Sequence, residues 1–479
     1  MSLYALIDCN NFFVSCERVF NPQLENVPVA VLSSNDGCIV ARSNEVKALN
    51  IPMGVALFEV EHILKKHQVT LLSSNYSLYA DMSRRIMETI RTFTPEVEVY
   101  SVDEAFIRVD HMSYPDPTAL AKLMRSTIMQ WTGIPVSIGI APTKTLTKVA
   151  NEVAKTSPSY HGVLNINNKP HFTDEILSTL PVREIWGVGR QYSASFNRYG
   201  IHTALDIKNA NHDWIKKNFG VNGLRLKYEL SGTSCMSLNV ITKRPKSIMH
   251  SRTFGQTIES IKPLVEATAS FTTKLAAQLR KKQCVARTIH VRIESSRHKA
   301  ESYTSRQAHI TLAEPTDDTM VFLHATHQLI DRIWEPHILY KRSAVTLVDI
   351  TANTQWQHTF LESPPTIISH KTKPSLGTSW ISFGKYLDEA KEKNNTDLLG
   401  IKELSQNQYQ PPCPIIFKNK KPRIKTKTLY KAIDSLNSSM GDNTVQFGSS
   451  GIKQKRWSSK SDSRSPRYTT RWDELLTVS

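Results

Sequence analysis

Three acidic residues carry the sharpest chemical signal in the sequence. Asp8 closes the apolar run LYALI (3–7), and Asp103 and Glu104 stand side by side within VEVYSVDEAFIRV (97–109). A carboxylate at the end of a buried strand is costly unless something binds it. Neighbours on a regular strand face opposite sides, so Asp103 and Glu104 can serve one site only if the chain bends there. Carboxylates gathered at a sheet edge repel one another unless cations neutralise them. Hard oxygen donors of this kind select Mg²⁺, with Mn²⁺ as a substitute. Two such ions suit in-line displacement at phosphorus. Taken singly, the same residues are ordinary: Asp-Glu pairs occur in turns, and an Asp after a strand also caps helices.

A second set is cationic. Arg42 and Lys47 follow the apolar run PVAVL (28–32), Lys144 lies in the turn after the strand expected at 136–140, and Lys148 comes one helical turn later. Beside carboxylates, such cations suggest a nucleoside triphosphate, although each alone reads as an exposed base. The third feature is Gly187-Val188-Gly189 in LPVREIWGVGRQYSASFNRYGIHTALDIK (180–208). Two glycines entering a helix let backbone N–H groups approach a phosphate, and a helix on either side makes a helix–hairpin–helix that grips DNA without reading bases. No nucleophile triad, H-E-x-x-H, Walker loop or dinucleotide fingerprint is present.

The elements that must position these residues follow from periodicity. Runs 3–7 and 28–32 read as buried strands around an amphipathic helix (10–20), an α/β opening. Residues 76–92 and 118–132 read as helices, and 133–155 as strand, turn and helix. Residues 175–230 read as short helices. From 248 to 352 the order is strand, helix, strand, strand, helix, strand, a compact α+β module. Beyond it, Pro-, Lys- and Asn-rich sequence, including KNKKPRIKTK (418–427), suggests a flexible basic linker, followed by an amphipathic piece at 428–439 and a tail.

Charge divides the 479 residues sharply. Residues 1–240 hold 23 basic and 22 acidic side chains, and residues 241–479 hold 37 and 21. A near-neutral front and a strongly basic back suggest catalysis in front and a polyanion gripped behind. No run of 18 apolar residues exists, so no membrane span is expected. The N-terminus lacks a signal-peptide pattern, and the six scattered cysteines without C-x-x-C fit a reducing cytosol.

DCNNFFVSCE (8–17), NDGCIVARSNEVKALNIPMG (35–54), YSVDEAFI (100–107), GIAPTKTLTKVANEVAK (139–155) and IWGVGRQYSASFNRYGIHT (185–203), in that order, resemble the Y-family translesion DNA polymerases, and within them the UmuC group. The resemblance covers about 1–355, and SPRYTTRWDELL (465–476) is also similar to that group. It implies a right-hand α/β and α+β multidomain fold. Its parts would be a palm (1–34 and 76–174), fingers (35–75), a helical thumb (175–240), a little finger (243–352), a basic linker (353–427) and a partner-binding tail (428–479). Asp8, Asp103, Glu104 and the Cys9 backbone match metal ligands. Lys144 and Lys47, with Arg42, match triphosphate contacts. Asn44 replaces a tyrosine common in the fingers. Phe13 matches the steric gate against a 2′-OH, with Phe12 beside it.

Little-finger bases (Lys243, Arg244, Lys246, Arg252, and Arg287 and Arg292 of one strand) would follow the duplex backbone, together with Gly187 and Gly189. Gln355 and Phe360 keep two anchors of a sliding-clamp peptide, but His358 replaces its leucine. Primer–template DNA, dNTP, a processed UmuD dimer and a RecA filament are the implied partners, in the cytoplasm at the nucleoid. Two rivals differ in class. A non-catalytic DNA-binding protein would lack a carboxylate, and a nucleotidyl cyclase on a palm-like sheet would lack the G-x-G helices and basic module.

Overall fold

Strand β1 (Tyr4–Cys9) organises the N-terminal part of the chain. It runs antiparallel between β6 (Glu104–Arg108) and β7 (Val136–Ala141), with β5 (Val97–Val99) and β8 (Val163–Asn165) at the edges, giving the order β5-β6-β1-β7-β8. All six residues of β7 are buried, as a strand covered on both faces requires. Val136, Ile138 and Ile140 join the core shared with α4 (Tyr76–Arg91) and α5 (Pro117–Thr132). The alternate face carries α6 (Lys144–Thr156). These coordinates are a computed structural model that describes residues 2–110, 116–240, 244–296, 303–354, 424–441, 443–451 and 457–475.

The expected strand–helix–strand opening does not form a single layer. Helix α1 (Phe12–Phe20) leads from β1 into β2 (Val29–Leu32). This strand pairs antiparallel with β3 (Ile39–Arg42) and parallel with β4 (Thr70–Ser73), in a separate three-stranded sheet. Val29 and Val31 face the large core, while Ala30 and Leu32 face a small one built with α2 (Asn44–Ala48) and α3 (Leu57–Lys66). A strand buried on both faces shows no alternation, so its sheet could not be read from its sequence. The helices α7 (Pro170–Thr179), α8 (Arg190–Arg198), α9 (Ala204–Asn209) and α10 (His212–Leu230) share a third core with α6. A capping box between Thr203 and Asp206 starts α9.

The chain divides into two units, Met1–Lys243 with Ser461–Ser479, and Arg244–Lys460. The second has the predicted element order. Strands β9 (Ser247–Ile258), β10 (Cys284–Ser295), β11 (Ser305–Thr316) and β12 (Tyr340–Ala352) form an antiparallel sheet in the order β11-β10-β12-β9, packed on α11 (Ile261–Lys281) and α12 (Thr319–Ile333). The amphipathic piece is a helix, Ile424–Ser439. Its Tyr430 is buried under the Arg280 guanidinium, which also pairs with Asp434 at 2.6 Å. Among the described residues no helix is long and apolar enough to cross a membrane. Lys243, Gln355, Phe360 and nearly all of the 353–427 segment lie outside the described residues.

Candidate active site

The register of β1 and β6 places Asp8 directly opposite Glu104. Opposed residues of an antiparallel pair point to the same face, with Cβ atoms about 5 Å apart. Asp103 precedes β6 in a bend over 101–103. Cys9 N–H donates to the Asp103 carbonyl at 2.9 Å, while Asp103 N–H turns to the Ser101 hydroxyl at 3.3 Å. The Ser101 hydroxyl in turn donates to the Asp103 carboxylate. The chain therefore bends where the adjacent acids require it.

Helix α6 lies over this edge. Lys144, Lys148, Asn151 and Lys155 recur at helical spacing along one face. Lys155 Nζ lies 3.1 Å from Asp8 Oδ1, and Lys148 pairs with Glu104. Buried Asn151 donates to the carbonyls of Leu6 and Ser137 at 3.3 and 2.8 Å, tying the helix to β1 and β7. Gly139 permits this closeness: a Cβ there would stand 2.3 Å from Asn151 N and 2.4 Å from Thr147 O.

Burial pushes the Asp8 carboxyl up to about 6; Lys155 opposes the rise, and the Glu104 and Asp103 charges add to it. At pH 7 and above it remains mostly ionised. Burial of Lys155 is outweighed by Asp8, so its ammonium is held above the usual lysine range. Among the described residues no three His, Cys, Asp or Glu side chains converge on one cation position. The reason is local: lysines neutralise Asp8 and Glu104, and Ser101 engages Asp103. The donors themselves fit Mg²⁺, being hard carboxylate oxygens in a crowded negative cluster that already draws in positive charge.

The cationic set separates into two. Lys144, expected at a triphosphate, is only 2% exposed, and its ammonium is committed to Glu98 and to the Ser237 carbonyl at 2.9 Å. Its place at the start of α6 turns it inward to the β5 side, where it forms a buried ion pair. Lys47 instead feels Lys155 and Arg42. Burial and these two like charges lower its ammonium from the usual lysine range. Arg42 donates through Nη1 to the Ile51 carbonyl. Such a crowd of positive charge favours an anion.

Phe13 is half-buried and stacks on Tyr79 at 4.3 Å and 13°, with Tyr76 edge-on at 6.0 Å. Phe12, expected beside it at the nucleotide, is buried in the core. Asn44 accepts from Asn11 Nδ2 at 2.9 Å, a contact a tyrosine would not make in this way. Gly187 has φ +89° and Gly189 is the N-cap of α8; a Cβ at either meets nothing within 4 Å. Trp186 donates to Tyr100 at 2.9 Å, linking this loop to the bend that carries Asp103.

In the second unit Arg244 and Lys246 are exposed. Arg287 and Arg292, five residues apart, would face opposite sides of a regular strand, yet both are exposed because the β10 ladder is irregular between Ala286 and Thr288. Arg252 does not join them. It shares the helix-facing side of β9 with Ile248 and Phe254, in a recess lined by Phe271 and Lys274, where burial lowers its guanidinium.

The impB/mucB/samB family profile matches residues 7–152, and the profile of that family's C-terminal domain matches 245–360. Protein UmuC of Salmonella typhimurium is 32% identical over 479 residues, covering 99% of this chain and 100% of that protein. The chain belongs to the impB/mucB/samB family. Within it, the chain is a UmuC-group Y-family polymerase by sequence. Protein MucB of Escherichia coli is 36% identical over 351 residues, 73% of this chain and 83% of its own length. A solved Y-family DNA polymerase chimera of Dbh and Dpo4 superposes with a TM-score of 0.59 at 22% identity, covering 73% of this chain and all of the chimera. That likeness shows the fold. A domain of unknown function, DUF4113, matches 427–478.

Two residues at this edge of the sheet were not singled out from sequence. Lys155 closes the quoted motif GIAPTKTLTKVANEVAK, and only its recurrence on the Lys148 face of α6 marked it. Gly139 gave no signal beyond being a glycine in an apolar strand, which itself points to a close backbone approach.

Proposed function

We propose that this chain is an error-prone translesion DNA polymerase, adding deoxynucleotides to a primer 3′-OH by a two-metal reaction in the response to DNA damage. One observation carries the reading: Asp8 faces Glu104 across β1 and β6, with Lys155 on Asp8 and the Phe13 ring following on α1. In this reading the five-stranded sheet is the palm, the three-stranded unit the fingers, α7–α10 the thumb and the second sheet module the little finger. Relatives named DNA polymerase IV support the activity.

Asp8, Asp103, Glu104 and the Cys9 carbonyl would hold Mg²⁺. When bound, the ions supply charge that acidifies the primer hydroxyl and neutralises the departing pyrophosphate. The chain's own residues do the rest. Lys155, Lys47 and Arg42 gather the triphosphate, the first being released from Asp8 as phosphate arrives. Phe13, held flat on Tyr79, stands beneath the sugar and clashes with a 2′-OH. Arg244, Lys246, Arg287 and Arg292, with the backbone at Gly187 and Gly189, give sequence-independent contacts to phosphates. A processed UmuD dimer, a RecA filament and the sliding clamp, reached through Gln355 and Phe360, complete the proposed assembly.

Primer extension on undamaged and abasic templates, with and without partner proteins, tests the assignment; no Mg²⁺-dependent extension on any template contradicts it. Phe13→Ala should raise ribonucleotide use relative to deoxynucleotide about a hundredfold, read as a ratio of kcat/KM; an unchanged ratio moves the gate elsewhere. The two lysines separate cleanly. Lys155→Ala should raise the KM for dNTP about tenfold, the loss expected for one charge-assisted phosphate contact. Lys144→Met leaves Glu98 with the Asn239 N–H but no cation and should cost about 3 kcal/mol in denaturant unfolding with KM within about twofold. The reverse pattern would restore Lys144 to the triphosphate.

A further inference from the structure

We infer that the C-terminal segment Ser463–Tyr468 is a positioning element for sugar discrimination, acting on Phe13 through Asn75 and Tyr79. The inference rests on the reading of Phe13 as the sugar-facing ring. The segment lies within the stretch matched by a domain of unknown function.

Three grips hold it, all on elements that carry the Phe13 platform. Beside the end of β4, Ser73 N–H donates to the Ser463 carbonyl at 3.0 Å, and Ser463 N–H donates back to Ser73 Oγ at 3.1 Å. At the start of α4, Asn75 divides its amide. Its Oδ1 caps the helix by accepting from Leu78 N–H at 3.4 Å. Its Nδ2 donates to the tail, to the carbonyls of Ser465 and Pro466 at 3.1 and 3.0 Å and to Ser465 Oγ at 2.8 Å. On α1, the Tyr468 ring stacks on Phe20 at 4.9 Å and 10°.

On the same platform lies a buried carboxylate that the reaction does not use. Glu17 is 2% exposed on α1, one helical turn from Phe13. It accepts from Tyr79 OH at 2.6 Å. Tyr79 is the ring on which Phe13 lies flat. The tail thus satisfies Asn75, whose carbonyl also accepts from Tyr79 N–H at 3.1 Å, and so fixes the start of the helix that carries the tyrosine beneath the gate. Without the tail, Asn75 Nδ2 loses three acceptors in a nearly dry site, where unmet polar groups force local rearrangement. The carboxylates on β1 and at the 101–104 bend are held by other contacts, so the sugar side should respond more than turnover does.

The test compares the full chain, a chain ending at Lys460, and Ser465→Ala, measuring kcat/KM for ribonucleotide against deoxynucleotide on an undamaged template. Truncation should raise the relative use of ribonucleotide about tenfold and Ser465→Ala about threefold, with dNTP kcat changing less. A synthetic 461–475 peptide added to the truncated chain should restore the ratio, and truncation in a Phe13→Ala background should add nothing further. A native ratio in the truncated chain, or an increase that survives undiminished in the Phe13→Ala background, overturns the inference. Should the truncated chain fail to fold, Ser465→Ala in the full chain decides alone. An unchanged ratio in Phe13→Ala itself would instead sink the gate assignment beneath it.

Discussion

Asp103→Ala and Glu104→Ala should each cut single-turnover nucleotide incorporation about a thousandfold or more, with affinity for primer–template DNA within about threefold. In the proposed reading the oxygens removed hold cations and not DNA; they concentrate negative charge where β1 ends and β6 begins. Removing Glu104 leaves Lys148 without its carboxylate partner, but that ammonium keeps the faces of Tyr100 and Trp186 at 4.9 and 5.9 Å, so the fold should survive. Anisotropy with labelled duplex reports binding, and rapid-quench extension reports chemistry. Near-native incorporation by either variant would remove both residues from the ligand set. Loss of DNA affinity in step with incorporation would make their role structural.

Gly139→Ala should have the largest effect on the fold of any single methyl group in the N-terminal unit. The added Cβ would meet the backbone of α6 at 2.3 and 2.4 Å, well inside contact distance. Helix backbone cannot swing aside as a side chain can, so α6 must lift from β7 and stretch the Asn151 bonds to Leu6 and Ser137. A cost of about 3 kcal/mol or more in stability is expected, at the upper end for overpacking. Lys148 and Lys155 ride on the same helix, so surviving folded protein should also bind dNTP more weakly. Urea unfolding with a native midpoint would show that the helix packs less tightly than described.

Much of the site was legible because its chemistry is local. Asp8 announces itself as an acid ending an apolar strand, and the Asp103-Glu104 bend follows from the two short runs around it. The α+β module was readable from alternating periods alone. What was not legible depends on partners distant in sequence. The unbroken apolar run Val29–Leu32 cannot reveal that its two faces serve two cores. Lys144 and Lys155 are the same residue type on one helix, and only the neighbours, Glu98 for one and Asp8 for the other, set them in different surroundings. Arg252 and Arg292 looked alike until strand register placed them on different faces: Arg252 is level with Ser343 and Ile293, and Arg292 with Ala344.

The most direct measurement is iron-directed cleavage. Fe²⁺ substituted for Mg²⁺ in the presence of DNA and dNTP, with ascorbate and peroxide, cuts backbone next to where it is bound. Cuts at both residues 8–10 and residues 101–104, suppressed together by excess Mg²⁺ and lost in Asp103→Ala, are the predicted result. Cleavage at only one of the two segments, or at neither, would contradict a shared cation site.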